Sequence, residues 1–82
     1  RMLGKAFARD FGKYGIRANS LTPGGIFDNQ EKKFVNKYIK KVPLGRMANW
    51  SDYNGSILFL ASDASKYMTG SNLIVDGGWT AW

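Results

Sequence analysis

Arg17-Ala18-Asn19-Ser20-Leu21-Thr22-Pro23-Gly24 is the stretch that decides the architecture. Ile16 to Thr22 predicts a strand about 23 Å long at ~3.3 Å per residue. Its alternation puts Ile16, Ala18, Ser20 and Thr22 on one face, and Arg17, Asn19 and Leu21 on the other. Neither face is strongly polar at its centre, which suits a strand covered on both sides in a parallel sheet. Pro23 stops the ladder, and Gly24-Gly25 turns the chain.

The flanking segments read as helices. Leu3, Phe7, Phe11 and Tyr14 share one helical face, with Gly15 as a left-handed stop. From Asn29 to Val42, Phe34 and Tyr38 pair at helical spacing beside a Val35, Ile39 and Val42 stripe. Ser51 is the expected cap of a helix from Asp52 to Ser62, apolar nearly all round and therefore expected to be buried on several sides. Leu73-Ile74-Val75 reads as a short buried strand, ended by Asp76-Gly77-Gly78, with a helix-free tail behind it. Two strands joined through helices predict parallel pairing. Two strands alone make a poor sheet, so the expected fold class is α/β, as part of a larger doubly wound parallel sheet.

Composition narrows the chemistry. The 82 residues are 44% hydrophobic with a formal charge of +6, and they include neither cysteine nor histidine. Thiol catalysis, disulfides and the commonest general base and metal ligand are thereby excluded from this chain. No metal site is expected. Six of the twelve basic residues fall between Lys32 and Arg46, and they read first as a solvated face. The longest apolar run, Ser56 to Ser62, is far short of the ~20 residues of a membrane span. A cytoplasmic location is the expectation.

Several short motifs, in order and at this spacing, resemble the C-terminal portion of the short-chain dehydrogenase/reductase family. Ala8-Arg9-Asp10-Phe11-Gly12-Lys13-Tyr14-Gly15-Ile16-Arg17-Ala18-Asn19 looks like that family's long helix after the active site and the start of its sixth strand. Pro23-Gly24 looks like its turn, Phe59-Leu60-Ala61-Ser62-Asp63 and Thr69-Gly70 like its last helix and following turn, and Val75-Asp76-Gly77-Gly78 like its last strand. The resemblance implies a Rossmann-type fold in which residues 1–82 form the C-terminal segment of one domain, with its last two strands and a lid-like insert at about 27–47. It implies hydride transfer between NAD or NADP and a carbonyl or alcohol substrate. By the same likeness, Pro23, Gly24, Gly25, Ile26 and Asp28 are the cofactor-binding residues, with backbone groups at Ile26 holding the nicotinamide carboxamide. Asp28 departs from the family's usual threonine; it is expected to turn away from a phosphate, or the neighbouring Asn29 to take the polar role. Gly24 and Gly25 are expected to let the backbone approach a flat ring closely.

Catalytic residues are expected to be absent from this chain. The family's acid/base pair is Tyr-x-x-x-Lys, whereas the four tyrosines here are followed four residues on by Ala18, Val42, Ile57 and Ser71. No Gly-x-x-x-Gly-x-Gly phosphate turn occurs. The isolated chain is therefore expected to be inactive. Asp76 is expected to anchor its own turn, and Trp79 and Trp82 to be buried against another subunit. A homo-oligomer, dimer or tetramer, is expected through Asp52–Ser62 and Leu73–Trp82, with no nucleic acid or membrane partner. A non-catalytic scaffold domain and a small basic nucleic-acid-binding module are the alternatives.

Overall fold

Residues 2–82 are described by a computed structural model. Helix α1 (Met2–Phe11) runs into a 3₁₀ turn at Gly12–Tyr14. Gly15 stops it with φ 77°, its N–H closing on Gly12 O at 3.0 Å, as a left-handed stop requires. Strand β1 (Ser20–Pro23), helix α2 (Lys32–Ile39), helix α3 (Asn54–Ala61) and strand β2 (Asn72–Val75) follow. The two strands pair in parallel, with Ser20 opposite Asn72 and Pro23 opposite Val75.

The strand starts later than its alternation predicts. Residues 16–19 face a turn region at 65–71 and not a strand, so their polar groups are satisfied one by one. Gly70 N–H reaches Ala18 O at 2.7 Å and Ala18 N–H reaches Thr69 Oγ1 at 3.0 Å. The Asn19 amide donates to Met68 O and accepts from Ser71 N–H. Arg17 does more. Its guanidinium donates to the carbonyls of Leu60, Ser62, Ser65 and Met68, which ties the approach to β1 to the C-terminal end of α3. A cation suits that end of a helix, where carbonyls are left over. Pro23 is the last residue of β1 and so removes no ladder bond.

Both later helices are shorter than their patterns suggest. Asn29 takes φ 55°, so α2 begins only at Lys32, and tightening bonds end it at Lys41 and Val42. Ser51 is not a cap. A 3₁₀ turn at Trp50–Tyr53 precedes α3, and the Asp52 carboxylate reaches back to Asn49 N–H at 2.7 Å. The tail is not helix-free either, because Trp79–Ala81 forms another 3₁₀ turn behind Gly78 in the left-handed region.

The core is small. Ala8, Val42, Met47 and Tyr53 are its buried hydrophobic residues, and Ser65 is the buried polar one. The expected burial of α3 and β2 is not met within the described residues. Leu58 is 69% exposed and Ile74 49%, because these few elements provide no second layer over them. Among the described residues no helix is long and apolar enough to cross a membrane.

Candidate functional site

Ligands of open parallel sheets lie beyond the carboxyl ends of the strands. Here that end is the turn at Gly24–Ile26, where β1 and β2 separate and the chain departs toward α2. A cavity of about 130 Å³ opens beside it, lined by Gly24, Gly25, Tyr38, Val42, Arg46 and Tyr53 among others.

Two tyrosine hydroxyls hold the turn. Tyr53 is buried; its Oη accepts from Gly24 N–H at 3.0 Å and donates to Val75 O at 3.1 Å, bridging the strand ends. Gly24 N–H also reaches Val75 O at 3.1 Å. Tyr38 Oη, arriving from α2, accepts from Gly25 N–H at 2.8 Å. Gly25 O accepts from Ala48 N–H and Phe27 N–H donates to Ala48 O, both at 2.8 Å, so residues 25–27 lie along a one-rung bridge. Gln30 closes the loop. Its side chain donates to Ile26 O at 3.0 Å and accepts Asp28 N–H at 2.7 Å. Among the described residues, the Ile26 N–H has no protein acceptor.

The five residues singled out in the sequence thus sit together on one turn, in differing roles. Pro23 is exposed and Ile26 half-buried, and Asp28 is exposed with its carboxylate free of protein partners among the described residues. The reason given for the two glycines needs correction. A Cβ on Gly24 would lie 2.9 Å from Asp76 Cα, and one on Gly25 would lie 2.6 Å from the Tyr38 ring. Their bare faces are filled by the protein itself and not left open for a flat ring.

The cavity's far wall is electrostatic. Arg46 and Asp52 pair two-pronged at 2.7 and 2.9 Å. This pairing holds the Asp52 carboxyl down at about 2, first through the Arg46 hydrogen bond and then through the Asn49 N–H, and raises Arg46 in return. Asp76 is spent on its own turn, accepting from Gly78 N–H, Thr80 N–H and the Thr80 hydroxyl. The Thr80 hydroxyl is the main reason that its carboxyl lies below the usual range. Trp79 stacks on Tyr38 at 4.5 Å and 10°, with 37% of it left exposed. Among the described residues no group of three or more acidic, histidine or cysteine side chains gathers as a metal site.

Tyr38, Tyr53 and Gln30 were not legible as site residues. Tyr38 reads in the sequence only as the helical partner of Phe34, and nothing local marks Tyr53 or Gln30.

A family model described as "Enoyl-(Acyl carrier protein) reductase" matches residues 1–80. The NADH-dependent L-xylulose reductase of Ambrosiozyma monospora is 40% identical over 88 residues, covering 98% of this chain and 32% of that protein. A short-chain dehydrogenase of Leptospira borgpetersenii serovar Hardjo-bovis, solved with bound NAD+, is 52% identical and superposes with a TM-score of 0.94 over 96% of this chain and 31% of its own. A gluconate 5-dehydrogenase of Burkholderia cenocepacia J2315, in complex with NADP and tartrate, is 36% identical with a TM-score of 0.92, covering 99% of this chain and 34% of its own. The chain spans about a third of the length of these relatives. By sequence and by fold, the chain belongs to the short-chain dehydrogenase/reductase family.

Proposed function

We propose that this chain is the C-terminal portion of an NAD- or NADP-dependent oxidoreductase and forms the nicotinamide side of its site. The single observation that carries the reading is the turn after β1. Gly24 and Gly25 N–H are already engaged, and the next amide, at Ile26, has no protein acceptor among the described residues. A free backbone donor at the carboxyl end of a parallel strand fits a carboxamide oxygen. The names of the relatives, an NADH-dependent reductase and dehydrogenases bound to NAD+ or NADP, support the same cofactors.

In this reading Pro23, Gly24 and Gly25 shape the turn, and Ile26 N–H would hold the carboxamide. Asp28 lies at the rim with its charge in solvent. A nicotinamide held here would supply hydride to a carbonyl substrate when reduced, or accept it from an alcohol when oxidised. Proton transfer at the substrate oxygen falls to residues outside this chain, which contains no Tyr-x-x-x-Lys. Residues 27–47 form the lid, with the exposed lysines of α2 toward solvent, and residues 52–62 and 73–82 carry the contact to further copies.

Calorimetry of the complete protein with NADH and NADPH tests this. Micromolar binding of either is expected, together with a cofactor-dependent shift of the Ile26 amide resonance. A folded complete protein that binds neither cofactor overturns the reading and favours an interaction module.

The Arg46–Asp52 pair sets a pH dependence for the same protein. The folded Asp52 carboxyl lies near 2, below its unfolded value of 3.8. Its contribution is therefore fully present above about pH 4 and fades as the pH falls toward 2. Asp52→Asn is expected to flatten this acid limb of the melting curve, leaving the part due to Asp76. An acid limb of unchanged steepness counts against it.

A further inference from the structure

We propose that Tyr38 is a positioning residue that couples the lid helix α2 to the Gly24–Ile26 turn, with residues 79–82 as its backstop. The proposal deepens the nicotinamide reading above and rests on it only for its kinetic arm.

One side chain joins three segments. The Tyr38 ring lies between Phe34, at 6.1 Å, and Trp79, stacked at 4.5 Å and 10°. Its hydroxyl accepts the Gly25 N–H at 2.8 Å. The backstop has further ties of its own to the end of α2. Trp82 Nε1 donates to Lys41 O at 2.7 Å, and Leu44 N–H donates to Gly77 O at 3.0 Å. The left-handed Gly77 and Gly78 are so close to Val42 and Pro43 that a Cβ would approach those side chains to 2.9 and 2.7 Å. Tyr38, Lys41, Val42, Pro43 and Leu44 therefore each meet residues of 77–82.

The consequence is mechanical. If α2 lifts away, Tyr38 leaves both the Trp79 ring and the Gly25 amide. The peptide planes of 24–26 then lose one of the two hydroxyls that fix them, and Ile26 N–H loses its defined direction. Conversely, displacing Trp79 removes the surface on which the ring lies flat. An aromatic stack of this kind is worth more than its buried area alone and is sensitive to geometry. Trp79 thus acts on the turn without touching it.

Hydrogen exchange on the complete protein, read on peptides covering 24–27, 32–39 and 79–82, tests the coupling. Tyr38→Phe keeps the stack and removes the hydroxyl, so exchange at 24–27 is expected to accelerate about tenfold. Trp79→Ala is expected to accelerate both 32–39 and the distant 24–27, with Trp79→Phe restoring most of the protection. Effects of Trp79→Ala confined to 79–82, or unchanged exchange at 24–27 in Tyr38→Phe, overturn the proposal. In the kinetic arm, both variants are expected to raise the KM for cofactor and substrate severalfold with a smaller change in kcat. A wild-type protein that binds no nicotinamide removes the functional reading, while the exchange result still decides the coupling.

Discussion

The 82-residue chain expressed alone is expected to show no cooperative thermal transition and no measurable affinity for NADH or NADPH. Its solvent-accessible surface is 6384 Å². A compact protein of 9.2 kDa exposes about 4,900 Å². The radius of gyration is 15.5 Å, against about 12 Å for a compact domain of this length. Large apolar side chains are among those left open. Met2, Leu3, Ile57, Leu58 and Ile74 are exposed, and Phe7, Phe11 and Tyr14 form a half-open aromatic row along α1 and the 3₁₀ turn after it. Large contiguous apolar patches are rare on soluble monomers and mark surfaces that other protein covers. Among the described residues, four buried hydrophobic ones cannot offset the conformational entropy of ordering such a chain. Light scattering, a circular-dichroism melt and a dye that binds apolar surface give the outcome. A monodisperse 9.2 kDa species that melts cooperatively without binding dye would contradict the expectation.

What could be read from the sequence was the part that local rules govern. The two strands and their parallel pairing follow from apolar runs separated by helical periodicity, and both were found. Gly15 was legible because a helix that must stop needs a left-handed residue there. Asp76 was legible because a carboxylate before two glycines has nearby amides to accept from. The five residues Pro23, Gly24, Gly25, Ile26 and Asp28 lie together on one turn, as near neighbours in sequence must. The losses are mostly nonlocal. Strand β1 begins at Ser20 because the segment opposite residues 16–19 is a turn, which no property of Ile16 or Ala18 reveals. The Ser51 cap failed because Asp52 is drawn to Asn49 and to Arg46, six residues back. Arg17 looked like one basic residue among twelve, yet it gathers four carbonyls more than forty residues away. Tyr38 and Tyr53 reach the turn from separate elements, and their hydroxyls matter only once those elements are placed.

Gly24→Val is expected to have the largest effect of any single substitution at the turn, and its cause is packing and not access. Gly24 does not lie in the left-handed region, so the backbone would tolerate a side chain. Space is what forbids it. A Cβ would stand 2.9 Å from Asp76 Cα and 3.1 Å from Asp76 O, and these are backbone atoms that cannot swing aside. Valine adds two methyl groups to that overlap. Relief requires β1 and β2 to part at their carboxyl ends, which breaks the Gly24 N–H bonds to Val75 O and Tyr53 Oη and tilts the next peptide, at Ile26. Overpacking of a filled site costs about 1–3 kcal/mol, and losing the buried hydrogen bonds adds about 1 kcal/mol or more. A loss of roughly 3 kcal/mol is therefore expected for the complete protein, with nicotinamide affinity at least tenfold weaker. Gly25→Ala makes the informative contrast. Its Cβ meets the far end of the Tyr38 side chain, which can rotate away, so stability should fall by less while the lid loses its tie to the turn. Denaturant midpoints and cofactor titrations of the two variants separate these effects. Equal stability losses, or an unchanged cofactor affinity in Gly24→Val, would show that the turn is not held against Asp76 in the way the packing implies.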